Sequence, residues 1–201
     1  MRALVLTVTA SALLLLGTVS RSEGKKLDAD KEENLIVNGS FEEGPDFADF
    51  LALDEGSTAL KGWTVTRGQI DYVGPEHWNA AEGRRSLDLH GSPGFGGIQQ
   101  SIKTKNGQRY RVTFAMAGNF DDPEKREPVK LLCVRAAGKK EAFSFDTTGK
   151  SADNMGWVTK TWEFEAVSEE TAIEFHTLET EANNWGPAVD NVRVVAVRDK
   201  K

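Results

Sequence analysis

Apolar and polar residues alternate with a period of two along much of this chain. Tyr110, Val112, Phe114 and Met116 interleave with Arg109, Arg111 and Thr113; Val158, Trp162, Phe164 and Ala166 share one parity, opposed by Thr159, Thr161 and Glu163. Shorter stretches repeat the pattern: Phe143 and Phe145 around Ser144, Ile173 and Phe175 beside Glu174 and His176, and Val192 and Val194 around Arg193. Such alternation puts one side of a strand in a core and the other in solvent. With Leu35 to Val37, Trp63 to Thr66, Gln69 to Val73, Ser86 to Leu89 and Gly97 to Thr104, it predicts roughly ten strands at the spacing of a sandwich or barrel. Gly107, Gly138, Gly149 and Gly156 punctuate the joints, where turns need positive φ. Beyond the N-terminus no helical period is sustained, and Pro45 to Leu53 holds at most a short turn of helix.

The first residues break this texture. Arg2 precedes an apolar run, Ala3 to Gly17, that ends in Leu13 to Leu16 and is followed by the small residues Thr18, Ser20 and Ser22. This predicts a signal peptide over residues 1–22, removed on export, and a secreted or periplasmic protein of bacterial type. The competing reading is an uncleaved anchor, for which the apolar run is shorter than the roughly 20 residues a span needs. Residues 23–33 are charged, without aromatic or β-branched side chains, and predict a flexible spacer. One all-β domain follows over 34–197, closed by a charged tail at 198–201.

Composition narrows the partners. With 39% hydrophobic and 28% charged residues the chain is ordinary for a globular protein. The net charge is −6, and loss of Arg2 and Arg21 with the signal leaves −8, which argues against nucleic acid and anionic membrane surfaces. A single cysteine, Cys133, excludes an internal disulfide and lies in the apolar run Val129 to Val134, where a buried thiol is expected.

Several ordered motifs carry a resemblance. Asn34-Leu-Ile-Val-Asn-Gly-Ser-Phe-Glu42, Gly62-Trp-Thr-Val-Thr-Arg-Gly-Gln-Ile-Asp-Tyr72, Arg85-Ser-Leu-Asp-Leu89, Phe145-Asp-Thr-Thr-Gly-Lys150, Asn154-Met-Gly-Trp-Val-Thr-Lys160 and Gly186-Pro-Ala-Val-Asp-Asn-Val192 resemble the choice-of-anchor C domain and the related plant cell-wall domain of unknown function 642. The resemblance implies a single jelly-roll β-sandwich, galactose-binding-domain-like, of the type used by carbohydrate-binding modules. It also implies that the first and last motifs meet. Glu42 and Asp190 then stand where related sandwiches hold a structural calcium, with turn carbonyls of Asn38 to Ser40 completing the shell. The alternative is that Glu42 caps a turn and Asp190 holds an Asx-turn, with no metal.

For recognition, the loop aromatics are the informative residues. Sugars stack on aromatic rings while their hydroxyls meet Asn, Asp, Arg or Glu. Trp63 and Trp162 are in phase with core positions, and Trp157 is open to either role. Trp78, beside His77 in Pro75-Glu-His-Trp-Asn-Ala80, and Trp185, beside Asn184, sit in polar loops, with Tyr72 nearby in sequence. Tyr72, His77, Trp78, Asn184 and Trp185 are therefore the candidate carbohydrate contacts; the competing reading packs both tryptophans over the sandwich ends.

Catalytic signals are thin. His77, His90 and His176 form no zinc pattern, and Gly91-Ser-Pro-Gly-Phe-Gly-Gly97 lacks the helix and Lys-Ser/Thr of a phosphate loop. Asp71, Glu76 and Asp88 offer carboxylates for a glycosidase only if strand pairing brings two across a cleft. The expected function is thus a non-catalytic polysaccharide-binding domain of open oligomeric state. A matrix or envelope protein-interaction domain stands second and a hydrolase or lyase third.

Overall fold

The computed structural model describes residues 32–91, 94–121, 127–180 and 183–198; residues 1–22, read above as a signal peptide, and most of the charged spacer and tail lie outside them. Eleven strands form among these residues: β1 (Phe50–Asp54), β2 (Thr64–Arg67), β3 (Gln69–Val73), β4 (Ser86–Asp88), β5 (Gly97–Lys103), β6 (Arg109–Gly118), β7 (Val129–Ala136), β8 (Lys139–Asp146), β9 (Val158–Glu165), β10 (Glu170–Thr177) and β11 (Pro187–Ala196). They make two antiparallel sheets, one in the order β1-β3-β4-β11-β6-β9 and the other β2-β5-β10-β7-β8. Among the described residues no segment is helical.

The two-residue period does what it predicts. Tyr110, Val112, Phe114 and Met116 of β6 are buried against Ile173 and Phe175 of β10 and Ile98 of β5 in one core. Phe114 and Phe175, from opposite sheets, meet edge to face at 5.2 Å, and Trp63 adds a second edge contact to Phe175 at 6.2 Å. Full burial of each such ring stabilises the sandwich by about 1.5–3 kcal/mol. Cys133 is buried and free, as expected. Trp162 is only half-buried, packed against the core beside Phe164.

Two local expectations are corrected. Leu35 to Val37 is not a strand: it is a seam tied to both sheets by isolated bonds. Leu35 N–H donates to the Val194 carbonyl (2.8 Å), and Val194 N–H to Asn34 Oδ1 (2.9 Å). On the other side Gln100 replaces a strand neighbour, its Oε1 accepting Val37 N–H (2.7 Å) and its Nε2 donating to the Val37 carbonyl (2.9 Å). Conversely, the stretch read as at most a helical turn ends in strand β1, because pairing from Phe50–Val73 to Asp54–Gln69 supplies a ladder that local propensity does not reveal.

What positions the functional residues is the far side of the six-stranded sheet. Tyr72 and Leu87 are cross-strand partners and both enter the core, so their neighbours Asp71 and Asp88, also partners, face the other way. By the same alternation Phe50 and Ala52 on β1, Val73 on β3, Ala117 on β6, and Ala188 and Asp190 on β11 share that outer face. Apart from Phe50 and Val73 the residues there are small or acidic, yet Asp71, Asp88 and Asp190 are buried, because the segments 74–85 and 183–186 roof the face.

Candidate functional site

The roof is held by polar anchors. A register shift in the β11–β6 pairing between Asp190 and Arg193, with Asn191 at φ 46°, breaks the ladder beside Asp190. Asp190 Oδ2 accepts the N–H groups of Ala81 and Glu82, each at 2.8 Å. Glu42 Oε1 accepts those of Arg84 and Arg85, also at 2.8 Å. Between them Gly83 has φ 67°, and a Cβ there would lie 2.5 Å from the Glu42 carboxyl carbon, so only glycine fits the apex. Arg85 then lays its guanidinium 4.0 Å over the Phe47 ring.

This is the meeting of first and last motifs that the sequence led us to expect, and the two carboxylates share a loop. Two of the three carbonyls expected to complete a calcium shell have protein donors. Asn38 O accepts Trp63 Nε1–H (3.0 Å), and Gly39 O accepts Val192 N–H (2.8 Å). Each carboxylate keeps one oxygen outside the loop contacts, Glu42 Oε2 and Asp190 Oδ1, the latter accepting only Asn191 N–H (2.6 Å). Burial pushes the Asp190 carboxyl up to about 7, its N–H donors pull it down, and Glu42 raises it further. No group of three or more His, Cys, Asp or Glu side chains that could hold a metal occurs among the described residues.

Beside this clamp, the same face holds a pocket of about 160 Å³. Its floor is Asp71, Val73 and Asp88; its walls are Phe50, His77, Trp78 and Trp185, with Asn119, Asp121 and Asn184 at the rim. Four of the five sequence-predicted contacts, His77, Trp78, Asn184 and Trp185, therefore converge. Tyr72 does not: it points into the core, donates its hydroxyl to the Phe41 carbonyl (2.6 Å) and packs on Phe47. Period-two geometry puts its neighbour Asp71 in the pocket instead.

The pocket residues differ in freedom. Trp78 is 2% exposed and donates Nε1–H to Ser86 Oγ (2.8 Å), so it is a wall fixed from behind. His77 packs against it in a tilted contact, ring centroids 5.0 Å apart, and is held through Nδ1 by Asp49 Oδ1 at 3.0 Å. Trp185 is half-buried. Asp88 is fully engaged: Oδ1 accepts His90 N–H (2.9 Å) and Oδ2 accepts Asn119 Nδ2–H (2.9 Å) and, more weakly, Gly186 N–H (3.4 Å). Asn119 also donates to the Asn184 carbonyl (3.1 Å), bolting the Trp185 loop to the sheet. Burial nonetheless pushes the Asp88 carboxyl up to about 8, with Asn119 pulling it down and Asp71 raising it. Asp71 is raised to about 6 by burial, offset by His77, and its buried Oδ1 has no hydrogen-bond partner.

Asn119, Phe50 and Asp121 were missed in the sequence. Only Asn119 carried a signal, as a polar residue directly after the apolar end of β6. A larger hollow of about 360 Å³ on the other sheet is lined by polar and small residues such as Gln99, Ser168 and Thr171. Its Glu174 is satisfied by Arg67 and Arg135, and no ring faces it.

Comparison with known proteins agrees with this architecture. The family described as "Protein of unknown function (DUF642)" matches residues 34–195. The chain belongs to the DUF642 family. This DUF642 chain is 30% identical over 200 residues to halomucin of Haloquadratum walsbyi, covering 96% of the chain and 2% of halomucin. It is 28% identical over 179 residues to Protein DUF642 L-GALACTONO-1,4-LACTONE-RESPONSIVE GENE 1 of Arabidopsis thaliana, covering 82% of the chain and 46% of that protein. It thus spans less than half the length of either relative. Among solved structures the DUF642 domain superposes on TmCBM61 in complex with β-1,4-galactotriose, with a TM-score of 0.50 at 20% identity, over 82% of this chain and 99% of that one. It also superposes on the arabinose-bound MgGH51 α-L-arabinofuranosidase, with a TM-score of 0.53 at 13% identity, over 81% of this chain and 26% of that one. These likenesses show the galactose-binding-like jelly-roll fold.

Proposed function

We propose that this protein is an exported, non-catalytic carbohydrate-binding domain whose binding site is the roofed pocket on the six-stranded sheet. The observation that carries the reading is the convergence of Trp185, His77 and Phe50 with the acceptor-rich floor at Asp71. Half-exposed rings take the apolar face of a sugar, and the carboxylate and amides take its hydroxyls. The volume suits one terminal or side-chain sugar unit, well below the roughly 300 Å³ at which sites for drug-sized ligands begin. TmCBM61, with the same fold, was solved with a β-1,4-galactotriose, which supports a polysaccharide as the ligand class.

Calcium enters this reading as a stabilising ion. Glu42 and Asp190 would hold it, and it would neutralise the buried Asp190 charge behind the 81–85 loop. The amide contacts of that loop already fix the roof, so the ion adds to a formed structure.

The deciding experiment is a glycan array of plant, algal and microbial polysaccharides probed with wild type and Trp185→Ala. Binding by wild type that is lost in the variant supports the site. Silence of the folded wild-type protein across the array, with capture of protein ligands instead, overturns it in favour of a protein-interaction domain.

A further inference from the structure

The charge of this pocket is one-sided, and that asymmetry carries a statement about the ligand. Asp71, Asp88 and Asp121 line it, and among the described residues no lysine or arginine does. The one basic side chain among the described lining residues, His77, is already held by Asp49. Asp71 and Asp88 are direct cross-strand partners, an arrangement that disfavours two like charges. Asp88 has its donors within the protein, from His90, Asn119 and Gly186. Asp71 does not: it is 8% exposed, it lines the pocket, and its buried Oδ1 lacks a partner. A buried unpartnered acceptor is costly to maintain, and the group that offsets it best brings both hydrogen-bond donors and positive charge.

Resting on the carbohydrate reading above, we propose that the pocket selects a sugar unit bearing a free primary amine, with the ammonium on the Asp71 carboxylate and the sugar's apolar face against Trp185. The ammonium supplies a donor to Asp71 and compensates its charge. The aromatic wall adds cation–π attraction of a kind available to no neutral sugar. The same lining disfavours uronic acids, whose carboxylate would meet Asp71 and Asp121 and, among the described residues, no lysine or arginine.

The test is calorimetric titration of the full folded domain at about pH 7, where the Asp71 carboxyl is mostly ionised, with β-1,4-linked hexamers of glucosamine and N-acetylglucosamine and an α-1,4-linked hexamer of galacturonate. Wild type is expected to bind the glucosamine hexamer roughly tenfold or more tightly than the N-acetylated one, from one charge-assisted contact, and the galacturonate hexamer not at all. Asp71→Asn keeps shape and removes the charge, so it brings the glucosamine hexamer down to the level of the N-acetylated one. Its melting transition confirms that it folds. Equal or stronger binding of the N-acetylated or galacturonate hexamer overturns the amine assignment, and so does a preference for glucosamine that Asp71→Asn leaves intact. If neutral glycans bind and only Trp185→Ala abolishes that binding, the amine assignment falls and the carbohydrate reading stands. No binding by any hexamer or by any glycan on the array overturns both.

Discussion

Replacing Asp190 with alanine removes the acceptor for two amides of another segment, Ala81 and Glu82, and a third contact to Asn191. A hydrogen bond to a charged acceptor contributes about 1.5–3 kcal/mol. Ala81 and Glu82 are themselves exposed, so water partly replaces the lost carboxylate and the low end applies. Removal of a buried charge offsets some of the loss as well. The net cost is therefore about 2–3 kcal/mol, and at about 2–4 °C per kcal/mol for a domain of this size Tm falls by about 4–12 °C. Glu42 holds the same loop from an exposed position, so Glu42→Ala should cost about 1 kcal/mol. Because one five-residue loop hangs from both carboxylates, the double variant is less destabilised than the two single effects added together. The assay is thermal unfolding followed by tryptophan fluorescence, run in chelator and again in millimolar calcium. In chelator the fall reports the amide clamp alone; calcium, binding only the folded state, raises the wild-type Tm and widens the gap. An Asp190→Ala transition within about 2 °C of wild type in both buffers would refute the clamp, and a wild-type Tm indifferent to calcium would refute the ion.

The two pocket tryptophans separate structure from recognition. Trp78→Ala should cost about 3–5 kcal/mol, as a buried aromatic truncation does, whereas Trp185→Ala should leave Tm within a few degrees and abolish glycan binding; parallel melting and binding curves check both. Asp71→Asn should change the pH dependence of stability. The folded carboxyl titrates near 6, against 3.8 for the ordinary group, so between these values the folded state keeps a proton that the unfolded chain has released. Wild-type stability from this group is thus full below about pH 4 and lost as pH rises through 6. Urea titrations should show variant and wild type equal near pH 4 and the variant ahead by on the order of 2 kcal/mol at pH 8. Gln100→Leu strips both bonds to Val37 and should cost about 2–3 kcal/mol, with amide exchange of residues 34–37 accelerating well before that of β10.

The alternating strands were legible because each has one face in the core: β6 and β10 follow from their own residues alone. The seam and β1 were not, since Val37 finds its partner in a side chain 63 positions away and β1 depends on a neighbour's ladder. The pocket was half legible. Loop position picked out Trp78 and Trp185, but their polar companions are assigned by parity. Tyr72 and Asp71 are adjacent in sequence and opposite in space, and only the register with Leu87 and Asp88 says which of them looks outward. Asn119 acts through the Trp185 loop, a relation with no local trace. Glu42 and Asp190 stood out in their motifs, while the loop they both grip announced itself only as Gly83 among charged residues.

A single sheet separates two layers that are held by different forces. On one side, Phe114, Phe175 and Trp63 cohere through apolar burial. On the other, the roof hangs mainly from carboxylate oxygens and amide hydrogens, supplemented by the buried ring of Trp78. Modest denaturant should therefore detach the roof while the sandwich persists, a sub-global opening that costs less than full unfolding. In a changing environment such a molecule would lose its grip on a ligand before losing its shape. It would regain that grip when conditions return, without having to fold again.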